Sequence, residues 1–246
     1  MKTEWDYTDR AHTYDQRADY SQKAINYLIK KIDCEPKTAV ADIGAGTGKL
    51  TKHLLDHGLT VYAIEPNDNM RDYGVNNTKS RDVQWSEGVG EKTGLPDACV
   101  YAVFFGSSFN VVDQKKTLKE CSRILRPGGW FACMWNHRDI EDSLQKTIER
   151  KITSFIPDYD YGLRRQDPSR LILESKNFKS VSKIEQRFKV KMTRTSIIDA
   201  WKSHDTLYRQ SGNQFDHVIN AIAESLTEDE YMIPYYTRIW FSQFVS

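Results

Sequence analysis

The stretch from Val40 to Leu50 constrains this chain most: a short apolar run, Val40-Ala41-Asp42-Ile43, then glycines on alternate positions, Gly44, Gly46 and Gly48, opening into a helical pattern. It predicts a strand that stops, turns sharply and starts a helix. Glycine at such a turn tolerates φ > 0 and lets a ligand approach the backbone with no Cβ in the way. The next apolar run, Thr60-Val61-Tyr62-Ala63-Ile64, ends at Glu65, roughly 20 residues beyond the turn, the distance at which a βαβ unit presents an acid to a ribose hydroxyl. Together these features predict a nucleoside-containing cofactor.

Glycine spacing narrows the choice. A dinucleotide fingerprint would need glycine where the chain has Lys49. A P-loop needs four residues between its glycines and Ser or Thr after the lysine, whereas Leu50 follows Lys49 and three residues separate Gly44 from Gly48. Asp42-x-Gly44-x-Gly46-x-Gly48 instead resembles motif I of class I S-adenosylmethionine (SAM)-dependent methyltransferases, whose glycine turn cradles the amino-acid end of a cofactor that has no phosphate to bind.

The resemblance continues along the chain, as in the small-molecule, type 11-like domains. The turn Leu125-Arg126-Pro127-Gly128-Gly129 before a fifth strand is its second marker. The loop Gly88-Val89-Gly90-Glu91 matches the one that holds the adenine edge, with Val89 in the usual acidic position and Gly90 still offering its N–H. A Tyr-Asp-x-x-Ala/Arg opening that closes over the cofactor maps onto Tyr14 and Arg17. Two departures stand out: Tyr101 where an Asp is usual, and Asn110-Val111 where a His-Trp pair is frequent. The resemblance implies a cofactor site built from Tyr14, Arg17, Asp42, Gly44, Ala45, Gly46, Glu65, Pro66, Met70, Val89, Gly90, Glu91, Phe105 and Gly106, with S-adenosylhomocysteine (SAH) as product. Glu65 is expected to accept from both ribose hydroxyls, and Met70 to contact the base. For catalysis, His137 is the best-placed titratable group, at the carboxyl edge of strand five, with Tyr14 and His204 behind it.

Periodicity organises the rest. Ser21 to Ile32, Lys49 to His57 and Lys115 to Leu125 read as amphipathic helices, and Asp82 to Ser86 and Cys99 to Phe105 as strands three and four. Beyond the fifth strand, Ile140 to Pro157, Thr195 to Ser211 and Asp216 to Leu226 read as helices. Phe178 to Val190 alternates like a strand exposed on one side, and Pro234 to Phe241 supplies the last strand. The expected fold is α/β: a doubly wound, Rossmann-like, seven-stranded, mostly parallel sheet with an antiparallel last strand and a helical cap. One domain spans 1–246: an N-terminal lid and helix (1–35), a cofactor-binding core (36–136), a helical cap with strand six (137–230) and the final strand (231–246).

Composition bounds the partners. A formal net charge of +1 gives no electrostatic footprint for nucleic acid or membrane. Cys34, Cys99, Cys121 and Cys133 lack the close pairing of a zinc site, so no metal is expected. With no apolar signal region after Met1 and no run of transmembrane length, a cytoplasmic location is the expectation. The chain lacks both an Asn/Asp-Pro-Pro-Tyr tetrad and a Pro-Cys dipeptide, the family's marks of enzymes acting on bases. A small-molecule acceptor, methylated on O or N, is therefore the leading reading, with the protein a monomer or homodimer. Tyr159, Tyr161, Trp201, Tyr208 and Phe215 suggest a flat, aromatic or heterocyclic acceptor. The rivals are an RNA or protein methyltransferase and a SAM-binding protein without turnover.

Overall fold

A computed structural model describes residues 17–162 and 165–245. Tyr14, expected in the lid, lies outside the described residues. Seven strands form one sheet: β1 (Ala39–Ile43), β2 (Thr60–Ile64), β3 (Val83–Ser86), β4 (Val100–Gly106), β5 (Leu125–Arg138), β6 (Phe178–Thr193) and β7 (Glu230–Phe244). Their order is β3-β2-β1-β4-β5-β7-β6. The first five run parallel, and β7 lies antiparallel between β5 and β6.

The central strands are apolar on both faces because helices cover both. Period-two alternation divides them cleanly: Val40, Ala102 and Phe104 join one core with α1 (Gln22–Lys31) and α2 (Lys49–Asp56). Ala41, Val103 and Phe105 face the other, beneath α4 (Gln114–Ile124). Between these helices in sequence, α3 (Asp68–Asn77) starts where Asn67 caps it by accepting from Met70 N at 3.0 Å.

A third core belongs to the cap. Here α5 (Ser143–Phe155), α7 (Arg194–Lys202), α8 (Asp205–Ser211) and α9 (Phe215–Glu224) pack Ile148, Ile152, Trp201, Leu207, Val218 and Ile222 against Met192, Ile233 and Tyr235 of β6 and β7. The single helix expected over Thr195 to Ser211 is two, broken at Ser203-His204, where His204 caps α8 by accepting from Leu207 N. The short α6 (Ser169–Glu174) carries no signal in the sequence reading above.

The last strand begins at Glu230, ahead of Pro234, where the sequence reading starts it. Proline ends an interior strand because it has no N–H to give. However, β5 pairs with β7 only as far as Arg138↔Tyr235, whereas β6 continues to Thr193↔Glu230. Pro234 thus lies where β7 has one neighbour, in a two-stranded arm that reaches under the cap. The Arg126-Pro127-Gly128-Gly129 turn is likewise part of β5: register jumps from Val100↔Leu125 to Ala102↔Trp130, so these four residues bulge out of the strand.

Both departures from the family pattern are interlocks. Tyr101 Oη donates to Ile32 O at 2.7 Å, tying the start of β4 to the end of α1. Asn110 Oδ1 accepts from Trp135 Nε1 at 2.7 Å, tying the loop after β4 to β5. Among the described residues no helix is long and apolar enough to cross a membrane.

Candidate active site

The glycines of the first turn alternate for a conformational reason: Gly44, Gly46 and Gly48 have φ of +68°, +58° and +84°. At Gly44 space forbids a side chain as well, since a Cβ would lie 2.5 Å from Ser108 Cβ. The backbone so shaped is pinned to the end of β2. Gly44 N and Ala45 N donate to Ile64 O at 2.8 and 3.1 Å, and Gly46 N donates to Glu65 Oε2 at 2.8 Å.

Glu65 is buried, and its other oxygen accepts from Asn67 N at 2.9 Å. Burial raises its pKa, with the N–H bonds of Asn67 and Gly46 and the charge of Arg71 pulling the other way. Its first task is therefore to hold the turn; a carboxylate has roughly four acceptor sites, so two remain for hydroxyls. Asp42, one strand inward, is fully buried. Thr51 Oγ1 donates to its Oδ2 at 2.7 Å, while Oδ1 has no hydrogen-bond partner. Burial pushes this carboxyl up to about 7, against the pull of the Thr51 bond.

A cleft runs from this turn to the cap. Arg17, Asp42, Gly44, Ala45, Gly46, Gly106 and His137 all border it. Glu65, Pro66, Met70, Val89, Gly90, Glu91 and Phe105 do not line the same space. Met70 lies against the turn, its Cε 3.3 Å from where a Gly46 Cβ would be. Gly90 backs onto Thr117 of α4. Glu91 Oε1 accepts from Asp113 N at 2.5 Å, outside the cleft. The Phe105 side chain is fully buried in an aromatic cluster with Phe109 and Phe131, away from the cleft. Of the five aromatics expected to shape the acceptor space, Tyr161 and Trp201 line the cleft, whereas Tyr208 packs on Phe215 in the cap.

Sequence reasoning passed over several cleft residues. Tyr20 Oη and Ser107 Oγ are 2.9 Å apart at the carboxyl end of β4, with Ser107 in the left-handed region at φ +61°. Asn136 Nδ2 donates to Ala18 O and Asp19 O at 3.0 and 2.8 Å, clamping the N-terminal segment over the sheet. Arg17 Nε donates to Ser203 Oγ at 2.9 Å, and Lys49 Nζ donates to Arg17 O at 2.8 Å. His137 is buried, with Arg238 Nη1 3.5 Å from its Nδ1. A guanidinium only donates, so Nδ1 accepts and the neutral ring carries its proton on Nε2. His204, whose Nδ1 accepts from Leu207 N at 3.3 Å, has the same tautomer. The position of Asn136 beside His137 at a strand's carboxyl edge was the one available signal for the clamp.

Residues 41–133 match the family model described as "Methyltransferase domain". An uncharacterized methyltransferase of Mycobacterium tuberculosis (strain ATCC 25618 / H37Rv) is 37% identical over 125 residues, 50% of this chain and 48% of the relative. The chain thus spans about half the length of the first curated relatives it matches. A ubiquinone/menaquinone biosynthesis C-methyltransferase of Caulobacter sp. (strain K31) is 25% identical over 184 residues, 67% of this chain and 73% of that one. In fold, the chain is similar to Haemonchus contortus phosphoethanolamine N-methyltransferase 2 in complex with S-adenosyl-L-methionine, with a TM-score of 0.56 at 14% identity, over 96% of this chain and 56% of that one. The glycine turn and the strand order thus coincide with a stretch, residues 41–133, that matches a methyltransferase domain, and the chain is similar to methyltransferases in sequence and in fold.

Proposed function

We propose that the chain transfers a methyl group from SAM to an oxygen or nitrogen of a small molecule. One observation carries this reading: the glycine turn and the cap border the same cleft, so a donor on the turn and an acceptor under the cap would share one enclosed space. The residues fit the cofactor. Asp42 Oδ1 is a buried acceptor awaiting a donor, and the glycines leave the approach to the backbone clear. Arg17 and Lys49 border the same end of the cleft, where a carboxylate would lie.

When bound, SAM supplies a methyl group already activated on a sulfonium. The chain's own task is alignment and exclusion of water, which for a preformed electrophile supplies much of the rate. Trp201, Tyr235 and Ile148 give the cap side its apolar wall. His137 and His204 both line the cleft, and either ring could exchange a proton with an acceptor held there. Incubating the protein and SAM with low-molecular-weight metabolites, RNA or protein fractions tests the reading. SAH should accumulate with the metabolites alone; accumulation with RNA or protein, or binding of SAM without product in any fraction, would replace it.

A further inference from the structure

The cap side of the cleft carries a pair of cations that form no ion pair with a carboxylate among the described residues. The Arg138 guanidinium lies over the Trp201 ring, 4.1 Å from its centroid, and the Arg165 guanidinium over Tyr161 at 4.2 Å. Arg165 Nη2 donates to the backbone carbonyl of Arg138 at 3.3 Å, and both residues line the cleft. Among the described residues neither forms an ion pair with a carboxylate, whereas neighbouring Arg238 is paired with Glu185 at 2.6 Å. Burial lowers the Arg165 pKa, and the charges of Arg238 and Arg138 add to the fall. The nearest counter-charge lining the cleft, Glu149, accepts from Tyr161 Oη at 3.2 Å.

Two stacked guanidinium forks with most of their donors uncommitted are a preorganised site for a planar anion. Stacking fixes the plane of each fork, so little side-chain freedom is lost when a ligand arrives. Of the carboxylates lining the cleft, Glu149 acts on Arg165, which leaves the pair itself with about one net positive charge. That matches a carboxylate, whereas a phosphate monoester carries nearly two charges at neutral pH. Trp201, Tyr235 and Ile148 beside them suit an apolar body.

We propose that Arg138 and Arg165 form an anion site for the methyl acceptor, and that the acceptor is a small carboxylate with an apolar body, held by its carboxylate under the cap. The proposal rests on the methyltransferase reading above.

The test is calorimetric titration of the SAH-saturated full chain with small aliphatic and aromatic monocarboxylates, each paired with its primary amide, and with inorganic phosphate. Acids should bind about 10- to 100-fold more tightly than their amides, the range expected for charge-assisted bonds. Arg138→Met and Arg165→Met should each abolish that preference while SAH affinity stays within about twofold, and Arg138→Lys and Arg165→Lys should keep part of it. Amides binding as well as acids, no acid binding, phosphate binding more tightly than every acid, or variants that keep the full preference would overturn the proposal. So would variants that lose SAH affinity in parallel, since the pair would then serve the cofactor's own carboxylate. A wild-type chain that fails to bind SAH at all brings down the methyltransferase reading instead, and the anion site with it.

Discussion

On one wall of the cleft, Gly44 N, Ala45 N and Gly46 N reach Ile64 O and Glu65 within a single βαβ unit. On the other, Arg138 at the end of β5, Tyr161 and Arg165 on one loop, and Trp201 on α7 meet through side-chain planes. The first wall is shaped by backbone, and its specificity is conformational: a left-handed turn either forms or it does not. The second is shaped by side chains from the end of β5, the loop of Tyr161 and Arg165, and a cap helix with its own core. Such a division lets one cofactor platform serve different acceptors.

The largest effect that would break this contrast falls on the backbone wall. Gly44→Val places a β-branched residue at positive φ with its Cβ against Ser108. It should cost on the order of 5 kcal/mol, seen as a collapse of the urea midpoint together with loss of SAH binding. A folded variant with intact binding would show that the turn is less exacting than its geometry implies.

A titration sharpens the contrast at the next level. Asp42 has a carboxyl pKa raised to about 7 in the folded protein, so between about pH 4 and 7 the native state holds a proton that the unfolded chain has lost. Stability from this group is therefore full at low pH and falls as pH rises through that window, by up to about 4 kcal/mol. Asp42→Asn should flatten this slope in urea unfolding measured from pH 4 to 8, and the wild-type-minus-variant difference isolates it from other carboxylates. For the wild type, SAH affinity should rise with pH through the same range if the ligand donates to the ionised oxygen; a flat profile would detach Asp42 from the cofactor.

The smallest effect belongs to the side-chain wall. Tyr161→Phe removes one hydroxyl bond to Glu149 and leaves the ring under Arg165. It should cost about 1 kcal/mol, appear in carboxylate affinity, and leave SAH affinity unchanged within about twofold. An equal loss for both ligands would mean that the two walls are energetically one.

The same contrast explains what could be read from the chain alone. Gly44, Gly46, Gly48 and Glu65 announce themselves because local backbone conformation restricts the residue types that serve. The cap does not, because nothing near Arg138 in sequence predicts that Trp201, 63 residues on, will lie beneath it. Phe105 belongs to a strand buried on both faces, where apolar periodicity cannot separate a core ring from a ligand contact. Pro234 conceals the true start of β7 because the rule against interior proline assumes two neighbouring strands, and the arm supplies only β6 there. Ser203-His204 breaks a helix that periodicity continues through, a tertiary effect of the His204 cap and the Arg17 bond to Ser203.

Arg17 has a further consequence. Its carbonyl is held by Lys49, next to the glycine turn, and its guanidinium by Ser203, between two cap helices. One residue therefore spans the mouth like a crossbar, and swinging the cap away strains the grip on the turn side too. A movement of the cap relative to the sheet would therefore have to break one of these two bonds.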